Sequence, residues 1–446
     1  MYRSPSAFGS FSLLFIVCIL LISSCKKEIV PEEYIPTDSH VQYINALNKL
    51  DLSDTALGQD WIDAAEEALS KPMRIESPYV EHIYFSPTEA NSVGYLISLK
   101  KGQKINIEVS LESNDRMKSF LDIYRVEDAT NGTFEKIASS ENQETSMDIE
   151  SRIDTDYIIR FQTELLRGGN FKITVQKSPS LDFPVSGKNN AAIGSLFGVP
   201  RDGGRRKHHG IDIFAKRHTP IIAPTDGYIR FAGERGLGGT VIWMRDQNRR
   251  QTLYFAHLQK LLVQEGQNVA KGDTIGTVGN TGNARTTPPH LHFGIYQNGP
   301  IDPYHHVAIT KTKLKRQFAD KSIVNQTMRT NKKSTLRLNG TGTKEESISL
   351  QKHQILEVLG ATSSYFRVQL PNESVGYISF KDIESVEDEV NNIVSEASYA
   401  LLDSPSDDAH SIKMVAANNQ LTVLGSDNEY KLVKSNAGLM GWIRVL

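Results

Sequence analysis

Apolar positions along the chain change their spacing from segment to segment, and the changes mark out the elements. Between Val41 and Ser70, Tyr43, Leu47, Leu50, Leu57, Trp61, Ala64 and Leu69 recur at roughly helical intervals, which predicts a short helical pair over 41–76. Asp54 and Asp60 are candidate helix caps. From about Ser77 to Lys177 the period falls to two. Tyr95, Ile97 and Leu99 precede a Gly-containing turn, then Ile105, Ile107 and Val109, and later Tyr157–Phe161 and Phe171–Val175. Short strands at regular spacing predict a β-sandwich over 77–180. Residues 183–308 are Gly-rich with many short strands. Residues 309–333 form a basic linker, in which Lys311 to Lys333 carry eight Lys or Arg against one Asp320, a pattern usual for a solvated connection.

The C-terminal part repeats itself. Leu356, Val358, Leu359 and Gly360 with Gly376-Tyr377-Ile378 return as Leu421, Val423, Leu424 and Gly425 with Gly441-Trp442-Ile443, at one common offset. Two short β units are expected, at 334–386 and 398–446.

The N-terminus reads as an address rather than as fold. Arg3 precedes an apolar run from Phe11 to Ile22, too short to cross a membrane comfortably, followed by Ser23-Ser24-Cys25. That arrangement resembles the lipobox of bacterial lipoproteins. The resemblance implies a signal peptide at 1–24, a lipid on Cys25, a tether at 25–40 and attachment to a bacterial membrane, on its periplasmic or surface face. Of the 2 cysteines, Cys18 then leaves with the signal and Cys25 is acylated, so no thiol remains for a disulfide or a metal. Hydrophobic residues at 39% and charged residues at 23% suit globular domains. A formal net charge of −2 gives no whole-molecule attraction to nucleic acid, and none is expected as a partner.

Chemistry concentrates in three segments: His208-His209-Gly210-Ile211-Asp212, Tyr254-Phe255-Ala256-His257-Leu258 and His290-Leu291-His292-Phe293-Gly294. Imidazole and carboxylate suit zinc, and a catalytic zinc takes three protein ligands and keeps one position open. On strands, residues two or four apart share a face, so His208 and Asp212 point the same way and His290 and His292 also share a face, and two such strands side by side can offer two imidazoles and a carboxylate to one metal. His209 falls on the opposite face, His218 in a turn before Thr219-Pro220, and His305-His306 read as surface residues.

The H-x-x-x-D and H-x-H pattern resembles the lysostaphin-type metallopeptidases of the M23 family. Ala223-Pro224-Thr225-Asp226-Gly227, Val269 with Lys271-Gly272-Asp273, Gly276 with Val278-Gly279-Asn280-Thr281-Gly282, and Pro289-His290-Leu291-His292-Phe293 fit the same run of motifs. The resemblance covers about 125 residues, the core at 183–308. It implies one zinc ion on His208, Asp212 and His292, with His257 and His290 as the histidines that handle protons and the oxyanion, their roles not divided between them. Asn283 to Pro288 departs from the shorter segment expected there, which bears on substrate rather than metal. By further resemblance, 77–180 is jelly-roll-like and the C-terminal repeats are SH3-like barrels, which often accompany cell-wall hydrolases. The expected fold is therefore mainly β and multidomain: a short helical segment, a sandwich, an antiparallel β metallopeptidase core and two small barrels.

The function implied is an endopeptidase cutting stem or cross-bridge peptides of peptidoglycan. The alternatives are a non-catalytic or latent envelope regulator on the same fold and a peptidase acting on surface proteins. There is no Gly-x-Ser-x-Gly elbow and no phosphate-binding or dinucleotide loop. The bond cut, the role of the repeats, any inhibition by the N-terminal module and the oligomeric state are not encoded in these patterns.

Overall fold

The computed structural model describes residues 38–112, 117–128, 130–140, 146–310, 319–338 and 346–445. The lipid site expected at Cys25, the signal, the tether up to residue 37 and part of the basic linker lie outside the described residues.

Two amphipathic helices come first, Ser39–Lys49 and Ala56–Ser70. Their caps are Asp38, which accepts from the Val41 amide, and Thr55, which accepts from the Gly58 amide. Asp54 is therefore not the cap, and Asp60 lies inside the second helix. A cap must sit one position before the first helical residue with extended backbone, and Thr55 meets that condition. Leu47 and Trp61 bury against Phe120, and the Trp61 indole N–H donates to the Thr163 carbonyl at 2.7 Å.

The helices cover one of two packed sheets. That sheet runs Met73–Arg74, Ser92–Leu99, Thr155–Thr163, Ser119–Asp128, Thr133–Ser139. The facing sheet contains Tyr79–Phe85, Gly169–Pro179, Gln103–Leu111 and Ser146–Glu150. Alternation does what period two predicts: along Tyr79–Phe85 every second residue is buried. Tyr95, Ile97, Ile105, Ile107, Ile123 and Ile159 fill the space between the layers.

The facing sheet extends across the boundary drawn from sequence. Tyr79–Phe85 pairs on its other edge with Ile355–Thr362, matching Glu81 with Thr362 and Ile83 with Gly360. Glu81, fully buried, accepts from the Tyr79 and Tyr95 hydroxyls and from Arg367 Nε at 2.6 Å, so its charge is paired and hydrogen-bonded. Gly360 is required here, because a Cβ would fall on the Glu81 carboxylate.

The repeat is visible as a repeated meander. Ile355–Thr362, Tyr365–Gln369 and Val375–Ser379 pair in order, as do Gln420–Asp427, Tyr430–Ser435 and Met440–Arg444. Both copies shift register at the same place, between Val358 and Gly360 and between Val423 and Gly425. No sheet among the described residues closes into a barrel. The first copy spends an edge on Tyr79–Phe85, and the second is an open six-stranded sheet.

The middle of the chain folds into an eight-stranded antiparallel sheet. Its central order is Ile193–Ser195, Ile211–Phe214, His290–Tyr296, Thr252–Ala256, Thr240–Asp246, Gly227–Glu234. Pro220–Ile222, Thr274–Val278 and Leu258–Leu261 form a second layer. Ile211, Ile213, Leu253, Phe255, Leu291 and Phe293 are fully buried between them. Because these apolar residues alternate with His292, Asp212 and Tyr254, filling the core turns the polar set to the other face.

This core is tied to the sandwich by Arg249, which forms a two-pronged contact with Glu150 (2.7 and 2.8 Å) and also donates to the Ser180 carbonyl. His306 is 3% exposed and lies against Gly102, not on the surface as its sequence position suggested. The short helix Tyr304–Val307 carries it inward, a placement no local pattern announces.

Candidate metal and catalytic site

Asp212 and His292 are directly opposite one another on neighbouring antiparallel strands, as are Phe214 and His290. The pairing of the two motifs thus follows from sheet register, and it explains why His290 and His292 arrive together. His208 is different. It precedes the strand, which begins at Ile211, so the strand-face argument does not place it. Four residues of strand span about 13 Å, too far for two side chains to share one ion. The chain instead bends at Gly210, and His208 Nε2 comes to 3.0 Å from Asp212 Oδ1. A Cβ on Gly210 would lie 2.8 Å from His292 Nε2 and closer still to the Phe293 carbonyl, so only glycine permits the bend.

His208 Nε2, Asp212 Oδ1 and His292 Nδ1 converge, with separations of 3.0, 3.1 and 2.9 Å. His208 Nδ1 is 2.8 Å from the Leu196 carbonyl. A carbonyl only accepts, so that nitrogen carries the proton and Nε2 offers a lone pair. His208 Nε2 and Asp212 Oδ1 both present lone pairs at 3.0 Å, a repulsion that a cation held among the three atoms would relieve. Two imidazoles and a carboxylate are the donor set of a catalytic zinc, and tetrahedral ligands at about 2.0–2.1 Å stand about 3.3–3.4 Å apart. The residues fit that ion.

The electrostatics agree. Burial alone raises the Asp212 carboxyl, yet hydrogen bonds and charge from His208 and His292 hold it far below the ordinary range. Burial pushes the His292 imidazolium below its ordinary value, the direction that favours the neutral ring a metal needs. Asp212 Oδ2, turned away from the histidines, accepts from Arg201 at 2.7 Å. The same guanidinium donates to Ser195 Oγ. Neither Arg201 nor Ser195 was found from sequence: a lone Arg eleven residues from its partner has no signature.

His257 and His290 flank the three. Each is fixed in the same way, His257 Nδ1 by the Thr281 carbonyl and His290 Nδ1 by the Pro288 carbonyl, both at 2.9 Å. Each therefore keeps Nε2 bare. Burial, with the charges of His290 and His292, pushes His257 down to about 4, so it is neutral at pH 7. His257 takes a left-handed backbone conformation, φ 66°, where the chain leaves one sheet layer for the other. His209 is exposed and His218 stands in a turn; neither reaches the convergence point.

All five residues open onto one groove of about 610 Å³. One wall is the hairpin of Pro200–Arg201 and Arg206–Lys207. The other includes Leu237, Asn283, Ala284 and Thr287, so the segment that departs from the expected motif does line the groove. Tyr254 and Tyr296 also line it.

Comparison with known proteins bears on the same stretch. Residues 206–303 match the profile of Peptidase family M23. The chain is 38% identical over 138 residues to the L-Ala--D-Glu endopeptidase of Bacillus subtilis (strain 168), covering 28% of this chain and 42% of that protein. It is 40% identical over 100 residues to the peptidoglycan DD-endopeptidase ShyC of Vibrio cholerae serotype O1, covering 22% of each. It is also 33% identical over 124 residues to the murein hydrolase activator NlpD of Escherichia coli (strain K12), covering 27% of this chain and 29% of that protein. In each case the match spans less than half the relative's length.

Proposed function

Because the chain carries a Peptidase family M23 domain at residues 206–303, we propose that it is a zinc-dependent endopeptidase hydrolysing peptide bonds of peptidoglycan in the bacterial cell envelope. The observation that carries this reading is the convergence of His208 Nε2, Asp212 Oδ1 and His292 Nδ1 beside two histidines with bare Nε2 atoms.

His208, Asp212 and His292 hold the ion. Zinc bound there would supply an electrophile for the scissile carbonyl and lower the pKa of a water to about 7. Asp212 adds a negative charge that favours the cation, and Arg201 fixes which of its oxygens faces inward. His257 and His290 share the proton work. Each accepts a proton at Nε2 while its Nδ1–H stays on a backbone carbonyl, so the ring does not turn as its charge changes. One histidine takes the proton of the attacking water and returns it to the leaving amine; the other, once its Nε2 has taken a proton from solvent, donates to the oxyanion. The buried strands beneath them keep the five side chains in place.

The lipid expected on Cys25 belongs to this proposal and would hold the enzyme at a membrane face. A second reading, a recruiter of hydrolases, draws on the relative named as a murein hydrolase activator; the complete set of five side chains favours the enzyme.

The test is peptide release from purified peptidoglycan by the whole chain, with and without a chelator, read by mass spectrometry. Chelator-sensitive release of defined fragments supports the enzyme. No release, with one zinc bound per chain, favours the recruiter.

A further inference from the structure

The two walls of the groove differ in charge. The hairpin contributes Arg201, Arg206 and Lys207 to the lining, while Leu237, Gly238, Asn283, Ala284 and Thr287, from two other segments, are uncharged. From Pro200 to Lys207 the chain places four cations, Arg201, Arg205, Arg206 and Lys207, against the single acid Asp202. The chain as a whole has a formal charge of −2, so this concentration is local.

Two of these cations are paired with carboxylates, and Arg205 donates to the Asp202 carbonyl. Arg201 is on Asp212 and Ser195, and Arg206 is on Asp202. Lys207 is exposed beside the groove, and among the described residues no carboxylate pairs with it. Among the described residues, the carboxylates lining the groove are Asp202 and Asp212, and both are engaged. A bound divalent ion would add positive charge to the same side. The groove therefore presents a one-sided positive field with one cation unspent.

We propose that the hairpin Pro200–Lys207 reads a free carboxylate of the substrate, with Lys207 as the contacting cation and Arg206 beside it, so that the site prefers anionic peptides to uncharged ones. The proposal rests on the peptidase reading and narrows it. Stem peptides of peptidoglycan carry free carboxylates, whereas glycine cross-bridges carry none. A carboxylate held against one wall also fixes which way the peptide lies across the five residues. Charge pairing of this exposed kind contributes orientation and on-rate more than raw affinity.

The test uses the full chain loaded with zinc and three peptides: a stem-type peptide with free carboxylates, the same peptide with those carboxylates amidated, and an oligoglycine amidated at its C-terminus. The expected ratio of kcat/KM between the free and amidated forms is about tenfold, the scale of a few exposed charge contacts. That ratio should fall towards one in Lys207→Gln. It should fall likewise in the unaltered chain at about 1 M salt, where charges are screened within about 3 Å. The salt titration keeps the test valid if the variant folds poorly. Equal rates on the free and amidated peptides, or faster cutting of oligoglycine, overturn the preference for anions and leave the peptidase standing. No cutting of any peptide or of whole peptidoglycan overturns the peptidase reading, and this one with it.

Discussion

Arg201 donates from Nη2 to Oδ2 of Asp212 at 2.7 Å, while Oδ1 of the same carboxylate faces His208 and His292. One oxygen is thus reserved for the guanidinium and the other for the metal. Partners that orient a metal ligand in this way typically contribute 10- to 100-fold, about that range, in metal affinity. Arg201→Gln should therefore weaken zinc by about 10- to 100-fold in a chelator competition, with little change in the Tm of the metal-free chain. Arg201→Lys should recover only part, because a flexible ammonium lacks the fixed donor directions by which the guanidinium Nη2 meets both Asp212 and Ser195. Unaltered zinc affinity in Arg201→Gln would sink this assignment.

Loss of a metal-holding side chain and loss of a proton carrier should separate. His208→Ala and Asp212→Ala should cost zinc and activity together. His290→Ala should keep zinc but lose turnover by about 100-fold or more, the usual contribution of a positioned acid or base. Zinc content by elemental analysis beside peptide release decides it. A zinc-free His290→Ala chain would mean that ligand and proton carrier have been exchanged in this assignment.

Gly210→Ala isolates the bend. Its new methyl would press on the His292 ring and the Phe293 carbonyl, and overpacking of this kind costs about 1–3 kcal/mol. Relief requires the His208 segment to move away from the sheet, so zinc should be lost although no ligand has been touched. Full zinc retention with unchanged Tm would show that the backbone there is freer than the contacts imply.

The buried His306 gives a pH dependence. Burial, joined by the charges of Lys101, Arg249 and His305 and opposed by Asp246, pushes it from 6.5 down to about 4. An unfolded chain takes up a proton as pH falls through about 6.5, while the folded chain resists until about 4. Stability is therefore lost as pH falls through that window, by about 2 kcal/mol at pH 5 from this residue. The Tm of the metal-free chain should drop between pH 7 and 5, and His306→Gln should flatten that slope. Equal slopes would assign the loss elsewhere.

Glu81 and Arg367 test the joint between distant parts. Removing one partner strands a buried charge and costs about 3–5 kcal/mol. Glu81→Met and Arg367→Met should each lower the Tm markedly, and the double variant should be more stable than either. Additive losses would contradict a direct coupling.

What could be read in the sequence follows from how local its cause is. His208, Asp212, His257, His290 and His292 were legible because each sits in a short motif whose spacing a strand or a turn dictates, and they do converge. Period two along Tyr79–Phe85 and the offset of the two meanders were legible for the same reason. Arg201, the inward turn of His306 and the Glu81–Arg367 pair were not, because each depends on a partner that local spacing does not name. The pairing of the first repeat's edge with Tyr79–Phe85 was hidden for the same reason, since nothing in the local pattern of either segment names the other. The reason His208 reaches Asp212 was also misread, since a straight strand would hold them apart and the bend at Gly210 brings them together.

The strand pairing of Tyr79–Phe85 with Ile355–Thr362 has a consequence for how the chain is made. Glu81 and Arg367 are 286 residues apart, and the whole catalytic core lies between them. During synthesis the core can emerge and fold while the early strand still shows a bare edge. Only when the ribosome has passed the first repeat can that edge be closed, at the entropic cost of a very long loop. Until then an open strand edge is exposed to other chains. The strands of the first repeat are thus the ones that end this exposure.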